Sequence, residues 1–213
     1  MADLTELSVN GFLDQTAART PTPGGGSVAA LAGALACAMA RMVAEYSVSK
    51  EPAPEANERV GAVLVRLRRA ELIMRALITS DAEAYAALSA ASKSANRPPA
   101  GRSRRADALL KAISVPMETA AVASNVLSTL DEFKDAASKY LLSDLGVAAV
   151  LADATARAAA YSVMANAHEM TDEAVRTRIM GDANETVTRC GRLCASVEQF
   201  VRSRLEIAES PSR

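Results

Sequence analysis

The chain has 213 residues, and half of them are hydrophobic, which is enough to form the core of a full domain. Its formal net charge is −1, which argues against nucleic acid as the main partner because counterion release needs a basic surface. Aromatic residues make up only 3% and Trp is absent. Small and aliphatic residues must therefore fill the interior, and the abundant alanine favours helices.

Helical periodicity predicts six helices, over residues 4–19, 27–49, 55–92, 103–137, 143–168 and 172–208. No alternating strand pattern or repeat is evident. Pro116 falls inside the fourth helix and should kink or divide it. The second helix is apolar on all sides, so it should be buried at the centre of a bundle or against a second subunit. We predict one domain over residues 1–213, an all-α, up-and-down bundle of five to seven helices that dimerises.

A Pro/Gly segment, residues 20–27, leads directly into the second helix. Two prolines stiffen it, three glycines remove side chains from the backbone path, and a serine stands where a helix N-cap belongs. Bare N–H groups at the positive end of a helix dipole suit a carboxylate, a phosphate or a polar heterocycle. The alternative is a simple turn with a cap. The binding residues predicted in this segment are Pro23, Gly24, Gly25, Gly26 and Ser27.

Four polar residues interrupt the apolar pattern of later helices: Asp81, Ser143, Asp144 and Asn166. If they meet in one cleft beside the glycines, a carboxylate there could be tuned for proton transfer. Lys50, just beyond the second helix, could add a cation or a general acid. Simpler interpretations remain open. Ser143 or Asp144 could be an ordinary N-cap, Asp81 could face solvent, and Asn166 could be a satisfied core amide.

Metal and membrane sites are not expected. Cys190 and Cys194 share a helix face, but with His168 they supply three of the four ligands that a structural zinc site needs. Reduced, buried thiols in a cytoplasmic protein fit better. The apolar part of the longest uncharged run, residues 28–40, is shorter than the roughly 20 residues of a membrane span. The N-terminus also lacks the basic start of a secretory signal.

Four segments, in order and spacing, resemble the cyclodeaminase/cyclohydrolase family, which includes the cyclodeaminase part of formiminotransferase-cyclodeaminase and free-standing bacterial relatives. Pro21–Leu35 (PTPGGGSVAALAGAL) resembles the N-terminal signature of that family. Ser80–Tyr85 (SDAEAY) resembles its acidic helix motif, and Lys111–Met117 (KAISVPM) its Val-Pro step. Ser143–Ala149 (SDLGVAA), with Asn166 further on, resembles its Ser-Asp-x-Gly-Val-Ala signature.

The resemblance implies an all-helical homodimer that binds a tetrahydrofolate derivative near the subunit interface. Two activities are implied. Formimidoyltetrahydrofolate cyclodeaminase joins N10 to the formimino carbon and expels ammonia, whereas 5,10-methenyltetrahydrofolate cyclohydrolase adds water and opens the ring to the 10-formyl compound. Both pass through a tetrahedral carbon between N5 and N10. No cofactor beyond the folate substrate is implied, and a formiminotransferase is a possible partner.

On this hypothesis Asp144 contacts the pterin edge or relays a proton, and Asp81 is the second acid/base candidate. Lys50 would assist the departing ammonia or bind a carboxylate, and the glycine segment would hold a polar part of the folate. Two departures from the family pattern favour an alternative. Lys50 alone remains of a basic stretch, and no Gly-Asn turn precedes Ser143. The alternative is a non-catalytic or repurposed helical dimer that binds another small ligand.

Overall fold

The computed structural model describes residues 3–49, 53–93 and 100–209, apart from the side chains of 100–102 and 206–209. Within these ranges the protein is helical and contains no β-strand. Short 3-10 helices cover Leu4–Glu6, Lys134–Ala136 and Lys139–Leu141. The six α-helices are α1 Val9–Ala17, α2 Gly25–Glu45, α3 Pro54–Lys93, α4 Ala100–Phe133, α5 Leu142–Ala167 and α6 Glu173–Glu209. The predicted all-α class and helix number are confirmed.

Helices α2 to α5 form a four-helix ring in which consecutive helices are antiparallel. Polar contacts show the directions. The start of α2 meets the second half of α3 through Ser27 and Asp81, and its end meets the first half through Glu45 and Arg68. Helix α6 packs outside the ring against α4 and α5. The predicted up-and-down topology is confirmed. Of the two outcomes predicted at Pro116, a kink or a division, the division is excluded because α4 continues through the proline. A kink stays a prediction.

Small residues let α2 approach α3 and α5 closely. A Cβ on Gly33 would lie 2.6 Å from the Met74 Sδ of α3 and 3.0 Å from the Thr155 Cγ2 of α5, so any larger residue would have to displace the Met74 side chain. Three larger α2 side chains, Val28, Leu35 and Met42, are exposed instead, and Leu35 is 54% exposed. The expectation that α2 is buried on all sides is therefore wrong for the single chain. Burial against a second subunit stays a prediction.

The apolar composition of the ring reflects its packing. Helix α2, at 21 residues, is longer than the predicted apolar run, and α2 and the segment Lys139–Ala167 are long and apolar enough to cross a membrane. In the bundle, however, 56% of the most apolar window of α2 is buried against other helices. Its buried positions are mostly Ala, Gly and Cys. A core helix therefore accounts for the hydropathy of α2 without a membrane.

A buried ion-pair cluster joins the last part of α2 to α3. Glu71 is 4% exposed and accepts hydrogen bonds from Arg41 of α2 and, at 2.5 Å, from Arg75 one turn later in α3. Burial alone would raise the pKa of Glu71, but the two guanidinium groups outweigh it and hold the pKa below its usual value. Ionised Glu71 therefore stabilises the folded state.

Glu71→Gln should lower the free energy of unfolding at pH 7 by about 1–3 kcal/mol, because the two arginines lose their buried counter-charge. The stabilisation by ionised Glu71 is present above its usual pKa of 4.5 and is lost as the pH falls through the lower folded pKa. The gap between wild type and variant in urea unfolding should close over that range.

The matched control for this prediction is Glu132→Gln, which removes an exposed pair between Glu132 and Arg66. This change should cost less than about 1 kcal/mol. Equal losses from the two substitutions would show that the buried cluster contributes no more than a surface pair.

Candidate functional site

A cleft of about 280 Å³ opens at the end of the bundle where α2 begins. Four parts of the chain bound it: the Pro/Gly segment before α2, the second half of α3, one turn of α4 and the last turns of α5. The residues that line it include Gly25, Gly26, Asp81, Tyr85, Ala112 and Asn166. The up-and-down topology brings these distant parts of the sequence to one end of the ring.

The start of α2 is capped by a side chain from α3. Gly24 is the N-cap residue, and Ser27 lies fully buried in the first turn. The Ser27 N–H donates to Asp81 Oδ2 at 2.8 Å. Its hydroxyl shares one proton between Asp81 Oδ2 at 3.1 Å and the Ile78 carbonyl oxygen at 2.8 Å. The prediction that Ser27 caps the helix is wrong, because the helix begins two residues earlier and Asp81 supplies the capping oxygen.

Gly26 leaves the space that the Asp81 carboxyl group occupies. A Cβ at this position would lie 2.0 Å from Asp81 Oδ1 and 2.4 Å from Cγ, far inside contact distance. At the neighbouring Gly25 a Cβ would meet only the Ser162 hydroxyl, at 4.0 Å. The helix N-terminus was predicted to attract an anion, and one of its N–H groups is already bonded to an internal carboxylate.

Asp81 has the environment of a proton-transfer group. Burial raises the pKa of its carboxyl above the ordinary value, and the two hydrogen bonds from Ser27 offset this only in part. Both bonds go to Oδ2, so Oδ1 is left beside Gly26 at the cleft. The simpler interpretation, that Asp81 faces solvent, is therefore wrong.

Asn166 reaches the cleft from the last turns of α5 and contacts α4. Its Nδ2 donates to the Ala112 carbonyl oxygen at 2.7 Å, across the floor of the cleft. The amide nitrogen of Asn166 is therefore satisfied, but the residue is partly exposed and lines the cleft rather than lying in the core.

The remaining predicted site residues lie elsewhere. Ser143 and Asp144 are in the first turn of α5, where Leu141 is the N-cap, so neither caps the helix. Asp144 precedes Asn166 by 22 positions, about 33 Å along the helix axis, so the single chain does not bring it to the cleft. Pro23 is buried next to the cleft without lining it. Lys50 lies outside the described residues. The functional roles of these residues stay predictions.

Tyr85 and Ser162 are among the lining residues that had not been predicted. Tyr85 follows Asp81 by one helical turn, and Ser162 precedes Asn166 by one turn, so each shares a helix face with a predicted residue. The i, i+4 spacing from Asp81 and Asn166 was the signal that could have found them. Tyr85 is 49% exposed and offers an aromatic face to a planar ligand.

The thiols play no part in this cleft. Cys37, Cys190 and Cys194 are free and buried, as predicted. Burial, with nearby carboxylates, raises the pKa of Cys194 to about 12, so it stays a neutral thiol. Among the described residues, no group of three His, Cys, Asp or Glu side chains is placed to hold a metal ion.

Comparisons with known proteins agree on one family. A family model described as formiminotransferase-cyclodeaminase matches residues 8–185. The mouse formimidoyltransferase-cyclodeaminase is 30% identical over 203 residues, which covers 92% of this chain but only 38% of the mouse protein. The methenyltetrahydrofolate cyclohydrolase of Methylorubrum extorquens is 28% identical, over 93% of this chain and 97% of that protein.

A solved structure supports the same relationship. The crystal structure of formiminotetrahydrofolate cyclodeaminase from Thermotoga maritima matches this chain with a TM-score of 0.86 and 28% sequence identity. The match covers 95% of this chain and 99% of that one. The chain therefore spans little more than a third of the mouse relative and nearly all of the two bacterial proteins.

Gly26→Ala should destabilise the protein by about 1–3 kcal/mol, because the new methyl group displaces the Asp81 carboxyl and leaves the Ser27 N–H unpaired. Gly25→Ala is the matched control, since it adds the same methyl group one residue away without a close contact. It should change stability by less than about 1 kcal/mol. Chemical unfolding of both variants tests this, and equal effects would contradict the close fit at Gly26.

Proposed function

This chain belongs to the formiminotransferase-cyclodeaminase family, and we propose that its cleft acts on a tetrahydrofolate derivative. The activity would be that of a formimidoyltetrahydrofolate cyclodeaminase or of a 5,10-methenyltetrahydrofolate cyclohydrolase. The names of the relatives, which include both activities, support this choice. One observation on this chain carries the proposal: a half-buried carboxyl group, Asp81, stands with a raised pKa at the glycine-lined end of the cleft.

Both reactions need one group that takes a proton and returns it. In cyclodeamination N10 attacks the carbon of the formimino group, whose nitrogen is protonated. N10 loses its proton, and the amino group gains one and leaves as ammonia. In cyclohydrolysis water attacks the methenyl carbon and loses a proton. N5 then gains a proton as its bond to that carbon breaks, and the hydroxyl group loses its remaining proton as the formyl C=O forms. A carboxyl group whose pKa is raised above its ordinary value is suited to this exchange.

Asp81 fits this role by its geometry. Its Oδ2 is held by Ser27, which fixes the plane of the carboxyl group, whereas Oδ1 lies beside Gly26 at the cleft. In our proposal Oδ1 accepts the proton from N10 or from water and delivers it to the leaving nitrogen. Asp144 of the same chain is about 33 Å away along α5, so it could act here only from a second subunit.

The other lining groups would bind the folate. The N–H groups of Gly25 and Gly26 lie in the first turn of α2, where a helix offers them no carbonyl acceptor of its own. They could hold a polar edge or a carboxylate of the substrate. Tyr85 would pack against a ring, and Ser162 and Asn166 would supply hydrogen bonds from the facing helix.

We also propose that the protein acts as a homodimer. The outer face of α2 exposes Val28, Leu35 and Met42. An apolar groove of about 410 Å³ between α1 and α2 adjoins this face, with Leu13 on its wall. These larger side chains face outward on α2, the helix that begins at the cleft. We propose that a second copy of the chain covers them. A formiminotransferase remains a possible further partner, because the mouse relative carries that activity in its name.

Leu35→Lys should shift the protein toward monomer, because it places a charge in the proposed contact. Light scattering at micromolar concentration measures the mass. Leu205→Lys is the control, since Leu205 is similarly exposed but lies on α6, which packs on the other side of the ring. A wild-type protein of monomeric mass, or a dimer that tolerates a lysine at position 35, would contradict the proposed interface.

Turnover with 5-formiminotetrahydrofolate and, separately, with 5,10-methenyltetrahydrofolate tests the proposed activity, with the methenyl chromophore as readout. Asp81→Asn keeps the oxygen that accepts from Ser27 but cannot carry a proton. It should lower kcat by about 100-fold or more while the fold persists. Glu83→Gln is the control, since it makes the same chemical change at an exposed position of α3 and should leave kcat unchanged.

The outcomes separate the competing hypotheses. Binding of a reduced folate without turnover would support the alternative of a repurposed binding protein. No folate binding by a folded protein would contradict the proposed substrate class. Full turnover by Asp81→Asn would instead leave the folate activity standing and remove Asp81 from the mechanism.

A further inference from the structure

A proline in α4 leaves one backbone carbonyl without its helical partner. Pro116 is fully buried in the interior of α4 and has no N–H. In a regular helix the N–H of residue 116 would bond to the carbonyl of residue 112. Helix α4 continues on both sides of Pro116, so the carbonyl oxygen of Ala112 is left free of that intrahelical bond.

Asn166 donates a hydrogen bond to the freed carbonyl oxygen. Its Nδ2 lies 2.7 Å from the Ala112 oxygen, and both residues line the cleft. A carbonyl oxygen can only accept, so the amide nitrogen must face it and the amide orientation is set by chemistry. The amide oxygen, Oδ1, is then the atom left for a ligand. It can only accept a hydrogen bond.

We infer that Pro116 is a positioning residue for the cleft: by freeing the Ala112 carbonyl it orients Asn166 so that Oδ1 accepts from an N–H group of the ligand. The inference rests on the proposed function and refines it. The ligand chemistry it selects is an N–H donor, which a pterin ring supplies in both proposed substrates. Neither Pro116 nor its ring lines the cleft, so its effect passes through Asn166.

Replacing the proline separates this role from ordinary packing. Pro116→Ala restores an N–H that competes with Asn166 for the Ala112 carbonyl. Alanine is also a far better helix former than proline, so the folded state should not be lost through its backbone. Pro116→Val restores the same N–H with more side-chain volume and serves as the second variant if the alanine leaves too large a cavity.

A double-mutant cycle with Asn166→Ala tests the coupling. Pro116→Ala should lower kcat/KM about 3- to 10-fold in the wild-type background, the effect of weakening one hydrogen bond. In the Asn166→Ala background it should change kcat/KM less than about 2-fold, because the residue it positions is gone. Equal losses in both backgrounds would overturn the inference.

A readout without substrate keeps this test separate from that of the proposed function. The side-chain amide protons of Asn166, identified by NMR through their loss in Asn166→Ala, should exchange with water several-fold faster in Pro116→Ala. Unchanged exchange would overturn the inference even if folate turnover is confirmed. Faster exchange in a protein that binds no folate would support the Pro116–Asn166 coupling and contradict the substrate instead.

Val115→Ala is the matched control for both measurements. Val115 is the buried neighbour of Pro116 in α4, and its replacement removes packing while every backbone N–H stays in place. It should lower the melting temperature without changing kcat/KM or the exchange of the Asn166 amide. Pro116→Ala should show the opposite pattern. The same pattern in both variants would reduce Pro116 to a packing residue and overturn the inference.

Discussion

The bond between Asp81 and the start of α2 is the interaction on which the cleft depends. It joins the first turn of one helix to the middle of the next, and it satisfies a buried serine whose N–H has no acceptor in its own helix. The same bond fixes the carboxyl group with one oxygen occupied and the other at the cleft. The Asp81 side chain therefore caps the helix and is also the proposed proton carrier. Both roles need Gly26, because a side chain at that position would occupy the space of the carboxyl group.

Small residues elsewhere in the ring let the helices pack closely enough for this contact to form. Gly33 brings α2 close to α3 and α5, and the buried alanines of α2 keep that approach along the helix. On the other side of the cleft, α4 and α5 are joined by the bond from Asn166 to Ala112. The cleft thus lies between two polar contacts, each of which supplies a backbone group with a partner that its own helix cannot provide.

The helices were predictable because their periodicity is long and unbroken, and the ends of α2 to α6 fall within four residues of the predicted limits. Asp81, Asn166 and the glycines were predictable as residues of the cleft, because polar side chains within apolar helices and three glycines before one are unusual. What the sequence could not show was how α2 is capped, since the capping oxygen comes from Asp81, 54 residues after Ser27. Nor could spacing place Asp144, because a helix of 26 residues has two distant ends.

The proposed role of Asp81 is to carry the proton in a folate reaction at this cleft. The most direct measurement is the pH dependence of kcat/KM for wild type and Asp81→Asn, with whichever of the two folates the protein turns over. Wild type should lose activity on the acid side with an apparent pKa above 3.8, the ordinary value for an aspartate, because the burial of Asp81 raises its pKa. The variant should lack that acid limb and keep only a small, pH-independent rate. An unchanged acid limb in Asp81→Asn would assign the proton transfer to another group and contradict the proposed role of Asp81.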